Sequence, residues 1–288
     1  MGKMPMRLTG ETPVLLNKHG AIMAEITAAT VKALREETGL GMMECKKALT
    51  ETQGDAAAAK DYLRKQYGDK MKTKAGRTTS EGLVAIKVNP QRTEAAMVEV
   101  RCETDFCSRN DEFKKMVDDV AELVFAAPAG KVAAAPAITG RVEVVMAKVG
   151  ENMGYAQGVK IAAPRIGSYV HHNGKVGVVV GIEGEIDDET LSGICMHIAF
   201  ADPLAITTDE VPADLVAKEK EFAIEQAMAS GKPKDIAEKM VTGKLRKYLE
   251  ANALLEQPYV RDDTKKVKDI LGAAKITAFA RFAVGSTK

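Results

Sequence analysis

The spacing of apolar residues changes along the chain, and this change limits the folds that the chain can adopt. Between residues 27 and 68 apolar positions recur at helical intervals, as at Ala28, Val31 and Leu34. From Leu83 onward, runs such as Leu83–Val88 are rich in β-branched residues and are typical of strands. A helical start followed by mixed strands and helices predicts an α+β fold.

The first part of the chain predicts three short helices within residues 24–68. Thr27 and Asp55 are candidate N-caps, and Gly39 is a candidate C-cap of the first helix. The second helix is expected over Met42–Thr52 and the third over Ala56–Tyr67. A bundle of this size has a thin core, so we expect it to lean on a partner.

Two segments lack such periodicity. Residues 1–23 are expected to be a leader from an upstream start codon or a disordered arm, dispensable for the fold. Residues 69–80 are expected to be a solvated linker, because four basic residues alternate there with Gly, Thr and Ser. The alternative is that the basic stretch over residues 60–77 contacts RNA.

The rest of the chain predicts two α+β core subdomains, over residues 81–163 and 164–288, each with a hairpin followed by a helix. In the first, an amphipathic helix is expected over Asn110–Phe125 and a shorter one over Arg141–Val149. In the second, Asn173-Gly174 marks the hairpin, and Asp187 or Asp188 caps the next helix.

The second subdomain also predicts an antiparallel helical hairpin over about residues 212–253. Its two charged helices begin at Pro212 and Pro233 and are separated by Ser230-Gly231-Lys232. A last helix is expected over Thr264–Leu271 and a closing strand over Lys275–Val284.

Composition and motifs exclude several function classes. The formal net charge of +1 gives no global basic field for nucleic acid. No apolar run approaches the roughly 18 residues of a membrane helix. Phosphate-loop, dinucleotide-binding and nucleophile-elbow motifs are all missing from the sequence. Four scattered cysteines without an export signal predict reduced thiols in the cytoplasm.

A metal site is not expected, although a metal-dependent hydrolase at His171, His172 and His197 is an alternative. Adjacent histidines on a strand point to opposite faces, and the hydrolase would need an acidic cluster beside them. Cys102 and Cys107 do not form a paired Cys-x-x-Cys motif.

The tripeptide Thr104-Asp105-Phe106 stands between a predicted strand and a predicted helix, where the chain must turn. Phe106 could be tucked into its own core. Alternatively, the turn could present one acid and one aromatic side chain to another protein, since aromatic side chains are frequent hot spots. The residues alone leave both alternatives open.

Several stretches together resemble the elongation factor Ts family, in order, over about residues 24–285. Leu34–Leu49 resembles the family's first signature and Glu99–Arg109 its second. Further matches lie at Lys148–Asn152, Gly167–Gly174, Cys195–Ala199 and Ser230–Val241. The departures are Arg101, where the family usually has Asn, and Cys107, where it usually has Val.

The resemblance implies a guanine-nucleotide exchange factor of translation that is not an enzyme, needs no cofactor or metal, and binds elongation factor Tu in its GDP-bound and nucleotide-free forms. It implies a ubiquitin-associated-like module at the helical start, two core subdomains and a projecting helical pair. No membrane or direct nucleic-acid contact is expected, and a homodimer is left open.

The resemblance also implies partner-binding residues. Asp105 and Phe106, with Thr104, would enter the partner's G domain and disturb its magnesium and phosphate site. Val149, Gly150 and His171 would support that turn, with a register ambiguity between His171 and His172. Lys46 in the helical module and Val241 near the base of the helical hairpin would be further contacts.

One departure concerns the end of the chain. Many family members continue past the last strand into a helix that grips the G domain, whereas this sequence ends at Gly285-Ser286-Thr287-Lys288. Weaker binding or compensating contacts are therefore expected.

Overall fold

A computed structural model describes residues 26–38, 40–74, 76–229 and 233–286. These residues form an α+β fold with two compact units. The first unit contains the described residues through Gly76 together with Met146–Gly150, and the second contains Arg77–Val145 and the described residues from Glu151 onward. The expected arm, residues 1–23, and the expected cap Gly39 lie outside the described residues.

The first unit contains helices α1 (Ala28–Thr38), α2 (Met42–Glu51) and α3 (Ala56–Lys74). Their starts are encoded locally. The Thr27 hydroxyl accepts a hydrogen bond from the Thr30 amide at 3.2 Å, and Asp55 Oδ1 accepts from the amides of Ala57 and Ala58. The small core consists of eight buried residues, Val31, Leu34, Leu40, Cys45, Ala48, Leu49, Ala59 and Leu63.

The second unit begins with a four-stranded sheet. Strands β1 (Glu81–Val88) and β2 (Glu94–Cys102) are followed by helices α4 (Asp105–Arg109) and α5 (Asp111–Phe125). Then come β3 (Gly130–Lys131), α6 (Pro136–Val149) and β4 (Met153–Ala162), and the order in the sheet is β1-β2-β4-β3. The last four residues of α6 belong to the first unit. Helix α5 packs on β1 and β2 with its apolar side, which includes the buried Phe113 and Met116.

A three-stranded antiparallel sheet follows, in the order β5-β6-β9, from β5 (Arg165–Val170), β6 (Val176–Glu183) and β9 (Lys275–Ala283). Helix α7 (Asp188–Ala201) packs on β5 and β6. Asp187 is its N-cap, because Asp187 Oδ1 accepts from the Thr190 amide at 2.8 Å. The hairpin-then-helix order predicted for both subdomains is therefore present.

The two sheets of the second unit pack face to face through Val84, Met97, Ile166, Val179 and Phe282, among others. Gly177 makes this packing close. A Cβ atom at Gly177 would lie 2.4 Å from Val84 Cγ1 and 3.0 Å from Met97 Sδ. Only glycine fits there without displacing the opposite sheet.

Between α7 and β9 the chain inserts the helical hairpin, α8 (Ala213–Ala229) and α9 (Lys234–Asn252), which pack against each other. A small cluster that includes Val211 and Ala253 lies where the hairpin leaves the core. Strands β7 (Pro258–Tyr259) and β8 (Asp262–Lys266) and helix α10 (Val267–Ile270) complete the described chain. No helix among the described residues is long and apolar enough to cross a membrane.

Three elements differ from the sequence predictions by more than one residue at an end. Helix α3 continues to Lys74, into the expected linker, because Lys and Met favour helix and outweigh Gly68. Helix α6 begins at Pro136 rather than Arg141, since proline is well suited to a first helical turn. The helix expected over Thr264–Leu271 is wrong in its first half, where β8 pairs with β7.

Candidate functional site

The Thr104-Asp105-Phe106 turn is the start of the short helix α4, directly after β2. Thr104 has an extended backbone and is the N-cap, since its hydroxyl accepts from the Cys107 amide at 3.2 Å. The turn predicted at this point is present, and its local signal is typical of a helix start, with a threonine three residues before the amide that it accepts from.

Phe106 is 80% exposed, so the alternative in which it packs into its own core is wrong. Its neighbours Cys107 and Ser108 are buried, and so is Phe113 on the next helix. One side of the turn is therefore packed against the protein through Cys107 and Ser108, and the other side exposes an aromatic ring to solvent. An exposed ring of this size is a candidate contact for another protein.

The N-cap of α4 is Thr104 rather than Asp105. Asp105 Oδ2 lies 3.1 Å from Arg109 Nη2, one helical turn later, and both side chains are well exposed. An exposed ion pair of this kind stabilises the helix only slightly. The Asp105 carboxylate therefore lies on the surface of the turn, paired with Arg109.

Two cysteine thiols lie beneath the turn. Cys102 Sγ donates to the Thr104 carbonyl oxygen at 3.3 Å. Its hydrogen bond with Cys107, its burial and the nearby carboxylates Glu151 and Glu81 raise the pKa of Cys102 well above its usual range. The thiol is therefore protonated at neutral pH and serves packing rather than nucleophilic chemistry.

Two acidic residues with no predicted role, Glu151 and Glu103, hold the turn. Glu151 accepts hydrogen bonds from the backbone amide and the hydroxyl of Thr104. Glu103 Oε1 accepts from the Asn152 amide, and Glu103 Oε2 lies 3.3 Å from Arg77 Nη1. No local signal could have revealed these pairs, because Glu151 follows Thr104 by 47 positions.

In the first unit, Lys46 is exposed on α2. Met42 and Met43, in the first turn of the same helix, are 53% and 76% exposed, so neither of them fills the bundle. A lysine beside two flexible thioether side chains makes an adaptable surface.

Val149 and Gly150 also belong to the first unit, whereas the Phe106 turn belongs to the second. Val149 is the half-buried last residue of α6. Gly150 adopts a positive φ of 82°, and its amide donates to the Met146 carbonyl oxygen at 2.9 Å. This left-handed residue ends the helix, a position that favours glycine.

His171 and Val241 lie in the second unit, in other elements than the Phe106 turn. His171 follows β5, and its Nδ1 lies 2.7 Å from the Tyr169 hydroxyl. His171 is half-buried and His172 is exposed, which distinguishes the two histidines of the ambiguous register. Val241 is half-buried in the middle of α9 rather than near the base of the hairpin.

His197 has a structural environment. It is 1% exposed, its Nδ1 accepts from the Val260 amide at 3.2 Å, and its Nε2 lies 2.9 Å from Gln257 Oε1. A neutral ring that accepts at Nδ1 carries its proton on Nε2 and donates it to Gln257. Both nitrogens are thus occupied. Among the described residues no group of three or more His, Cys, Asp and Glu could hold a metal ion.

A pocket of about 270 Å³ beside α7 is lined by Arg92, Gly167, Ser168, Asp188, Leu191, Ser192 and Cys195, none of them in the predicted set. The geometry thus defines an α+β protein whose candidate site is an exposed surface, with an acid and an aromatic residue on an anchored turn.

Comparison with known proteins agrees with this class. A family model described as elongation factor TS matches residues 103–286. Elongation factor Ts of Hydrogenovibrio crunogenus is 42% identical over 272 residues, which cover 90% of this chain and 92% of that protein. Elongation factor Ts of Thioalkalivibrio sulfidiphilus is 42% identical over 271 residues, with the same shares. That of Methylococcus capsulatus is 43% identical over 272 residues, again covering 90% and 92%.

These matches identify a translation elongation factor, with a role in protein biosynthesis. The chain belongs to the elongation factor Ts family.

Proposed function

We propose that this protein is a guanine-nucleotide exchange factor that binds elongation factor Tu and promotes release of GDP. In this proposal the Phe106 turn enters the G domain of the partner and disturbs its magnesium and phosphate site. Lys46, Thr104, Asp105, Val149, Gly150, His171 and Val241 make or support further contacts.

The observation that carries the proposal is the exposure of Phe106 on a turn whose backbone is fixed. The ring is 80% exposed, while Cys107 and Ser108 beside it are 2% and 4% exposed. An aromatic ring that stays in water in the free protein adds no burial free energy to folding. It adds that free energy to binding when a partner covers the ring. Burial of a phenylalanine side chain contributes roughly 1.5–3 kcal/mol.

The energetics of exchange follow from linkage. Exchange factor and nucleotide bind one G protein with opposed preferences, so each weakens binding of the other by the same factor. A tenfold antagonism corresponds to about 1.4 kcal/mol. Burial of Phe106 alone would then account for an antagonism of about ten- to hundredfold between the two ligands. Lost magnesium contacts would supply the remainder.

The proposed role requires no covalent step, so the protein would be a binding factor rather than an enzyme, without a cofactor of its own. Its acceleration of release would come from the difference between its affinities for the nucleotide-free and GDP-bound partner. We propose the cytoplasm as its location, because translation elongation takes place there.

The test is the release of fluorescent GDP from purified elongation factor Tu with magnesium present. We expect the release rate to rise with the concentration of this protein and to reach a plateau. Chelation of magnesium gives a reference rate for loss of the metal contacts alone, and an inert protein at equal concentration gives the spontaneous rate. Release at the spontaneous rate across the concentration series would refute the proposed function.

A further inference from the structure

The carboxylate of Glu151 forms a bridge to the residue that caps α4. Thr104 Oγ1 lies 2.9 Å from both Glu151 oxygens, and the Thr104 amide donates to Glu151 Oε2 at 3.2 Å. The same hydroxyl accepts from the Cys107 amide. The Thr104 hydroxyl thus connects the Glu151 carboxylate to the backbone amide of Cys107, the residue that follows Phe106. Such chains strengthen when one member is charged.

The hydrogen bonds of Glu151 lie just beyond the last backbone pair of strands β2 and β4. Strands β2 and β4 end their ladder where Cys102 lies opposite Met153. Beyond that pair, each segment contributes a glutamate that accepts a backbone amide of the other, Glu103 from Asn152 and Glu151 from Thr104. The turn that carries Phe106 is therefore attached to β4 by side chains, at the point where the ladder stops.

The orientation of the Phe106 ring depends on such attachments, because the ring is exposed and its own packing fixes it little. Two other side-chain ties of the turn are local. Ser108 Oγ donates to the Asp105 carbonyl oxygen, and Arg109 pairs with Asp105, so both ties lie within α4. Glu151 differs from these two ties because it connects the turn to the segment before β4.

We propose that Glu151 is a positioning residue for the Phe106 turn, an inference that rests on the proposed exchange function. Glu151 acts through Thr104, and it sets the angle at which Phe106 and Asp105 meet the partner. A misplacement of about 1 Å at an interacting group can cost roughly a hundredfold in rate. Removal of the Glu151 carboxylate therefore lowers exchange without removing any group that touches the partner.

The experiment compares Glu151→Ala, Glu151→Gln and the control Glu185→Ala, which removes an exposed carboxylate from the loop before α7. GDP release from elongation factor Tu is followed over a full concentration series. We expect Glu151→Ala to lower the plateau rate about ten- to hundredfold. Glu151→Gln keeps one oxygen acceptor and should recover part of this loss, and Glu185→Ala should match the wild type.

The plateau separates positioning from folding. If Glu151→Ala merely unfolded part of the sample, a higher concentration would restore the plateau rate, and that result would overturn the proposal. A double variant adds a second criterion. When Phe106 is already alanine, loss of Glu151 should slow release by a smaller factor than in the wild type, whereas fully multiplied losses would show that Glu151 acts independently of the ring.

A partner-free measurement distinguishes the two proposals. Hydrogen exchange at the amides of residues 104–107 should be faster in Glu151→Ala than in wild type, and unchanged exchange would overturn the positioning role. If the wild-type protein fails to accelerate GDP release, the exchange function fails instead, whatever the amides show.

Discussion

Phe106 and Phe200 have the same side chain and nearly the same exposure, 80% and 78%, which makes them a matched pair. Phe106→Ala should lower the free energy of unfolding by less than about 1 kcal/mol, as for an ordinary surface change. It should lower the plateau rate of GDP release strongly, because the inserted ring is lost. Urea unfolding and nucleotide release measure the two effects.

The controls bracket this result. Phe200→Ala should change neither quantity, whereas alanine at the fully buried Phe113 should cost about 3–5 kcal/mol through a cavity. A Phe106→Ala protein that unfolds as early as the Phe113 variant, yet exchanges at the normal rate while folded, would refute the assignment of Phe106 as the inserted residue.

Lys46 allows a test of the helical module. Lys46→Glu reverses one exposed charge on α2 and should weaken binding to elongation factor Tu while the circular dichroism spectrum stays native. Lys47→Glu, the same change at the next exposed position, is the control and should weaken binding less. Titration of both variants against labelled partner measures the difference. Equal affinities for the two variants would remove Lys46 from the interface.

At the residue scale, the sequence predicts what short-range chemistry decides. The caps Thr27, Asp55 and Asp187 were predictable because each bonds amides within three positions of itself. The role of Glu151 was not predictable, since its partner Thr104 is brought near only when β2 and β4 pair. The exposure of Phe106 was also open, because a turn sequence does not reveal which side of it faces the core.

At the scale of elements, His197 connects α7 to the segment that follows a short 3-10 helix, Leu254–Glu256, through Gln257 and Val260. Burial lowers the pKa of His197 below its usual value, while the hydrogen bond with Gln257 acts in the opposite direction. The folded protein therefore holds a neutral ring, whereas the unfolded chain protonates it below about pH 6.5.

This difference fixes the sign of a pH effect. As the pH falls from about 6.5 towards the lower folded pKa, the unfolded state binds the extra proton, so the free energy of unfolding decreases. In His197→Gln that decrease should be smaller, and the control His172→Gln, at an exposed ring, should keep the wild-type decrease. Urea unfolding at about pH 7.5, 6.5 and 5.5 measures it. An equal decrease in the free energy of unfolding in all three proteins would contradict the assignment of this pH effect to His197.

Element bounds were predictable where an apolar pattern or a turn signal marks them. Helix α5 and the β5–β6 hairpin have such marks, and both were found as expected. Strand β8 has none, because Asp262–Lys266 is polar throughout, and its structure comes from pairing with β7. The extension of α3 to Lys74 is not marked by an apolar pattern either. It results from the helix propensity of the residues in that stretch.

At the scale of the molecule, the contact between the two sheets of the second unit depends on small residues. Gly177→Ala should lower the free energy of unfolding by about 1–3 kcal/mol, because the new methyl group would meet Val84 and Met97. Gly154→Ala on β4 is the control, since a Cβ atom there has no neighbour within 4 Å and should change stability little.

A compensating change sharpens this test. Val84→Ala removes the methyl group that a Cβ at residue 177 would meet at 2.4 Å. The double variant should therefore lose less stability than the sum of the two single variants. Strict additivity, measured by urea unfolding, would show that the two sheets can move apart at Gly177 and that their close approach does not determine the loss of stability.

The anchored turn has a consequence for the kinetics of association. Ordering a loop during docking usually costs conformational entropy, about 0.5–1.5 kcal/mol for each side chain that becomes immobile. Here Thr104 is already bonded to Glu151 and Cys107 in the free protein. The backbone of the turn is therefore held before any encounter. The association rate of the proposed complex would then be limited by diffusion and orientation, and differences in affinity among variants of the turn would arise mainly from how long the complex lasts.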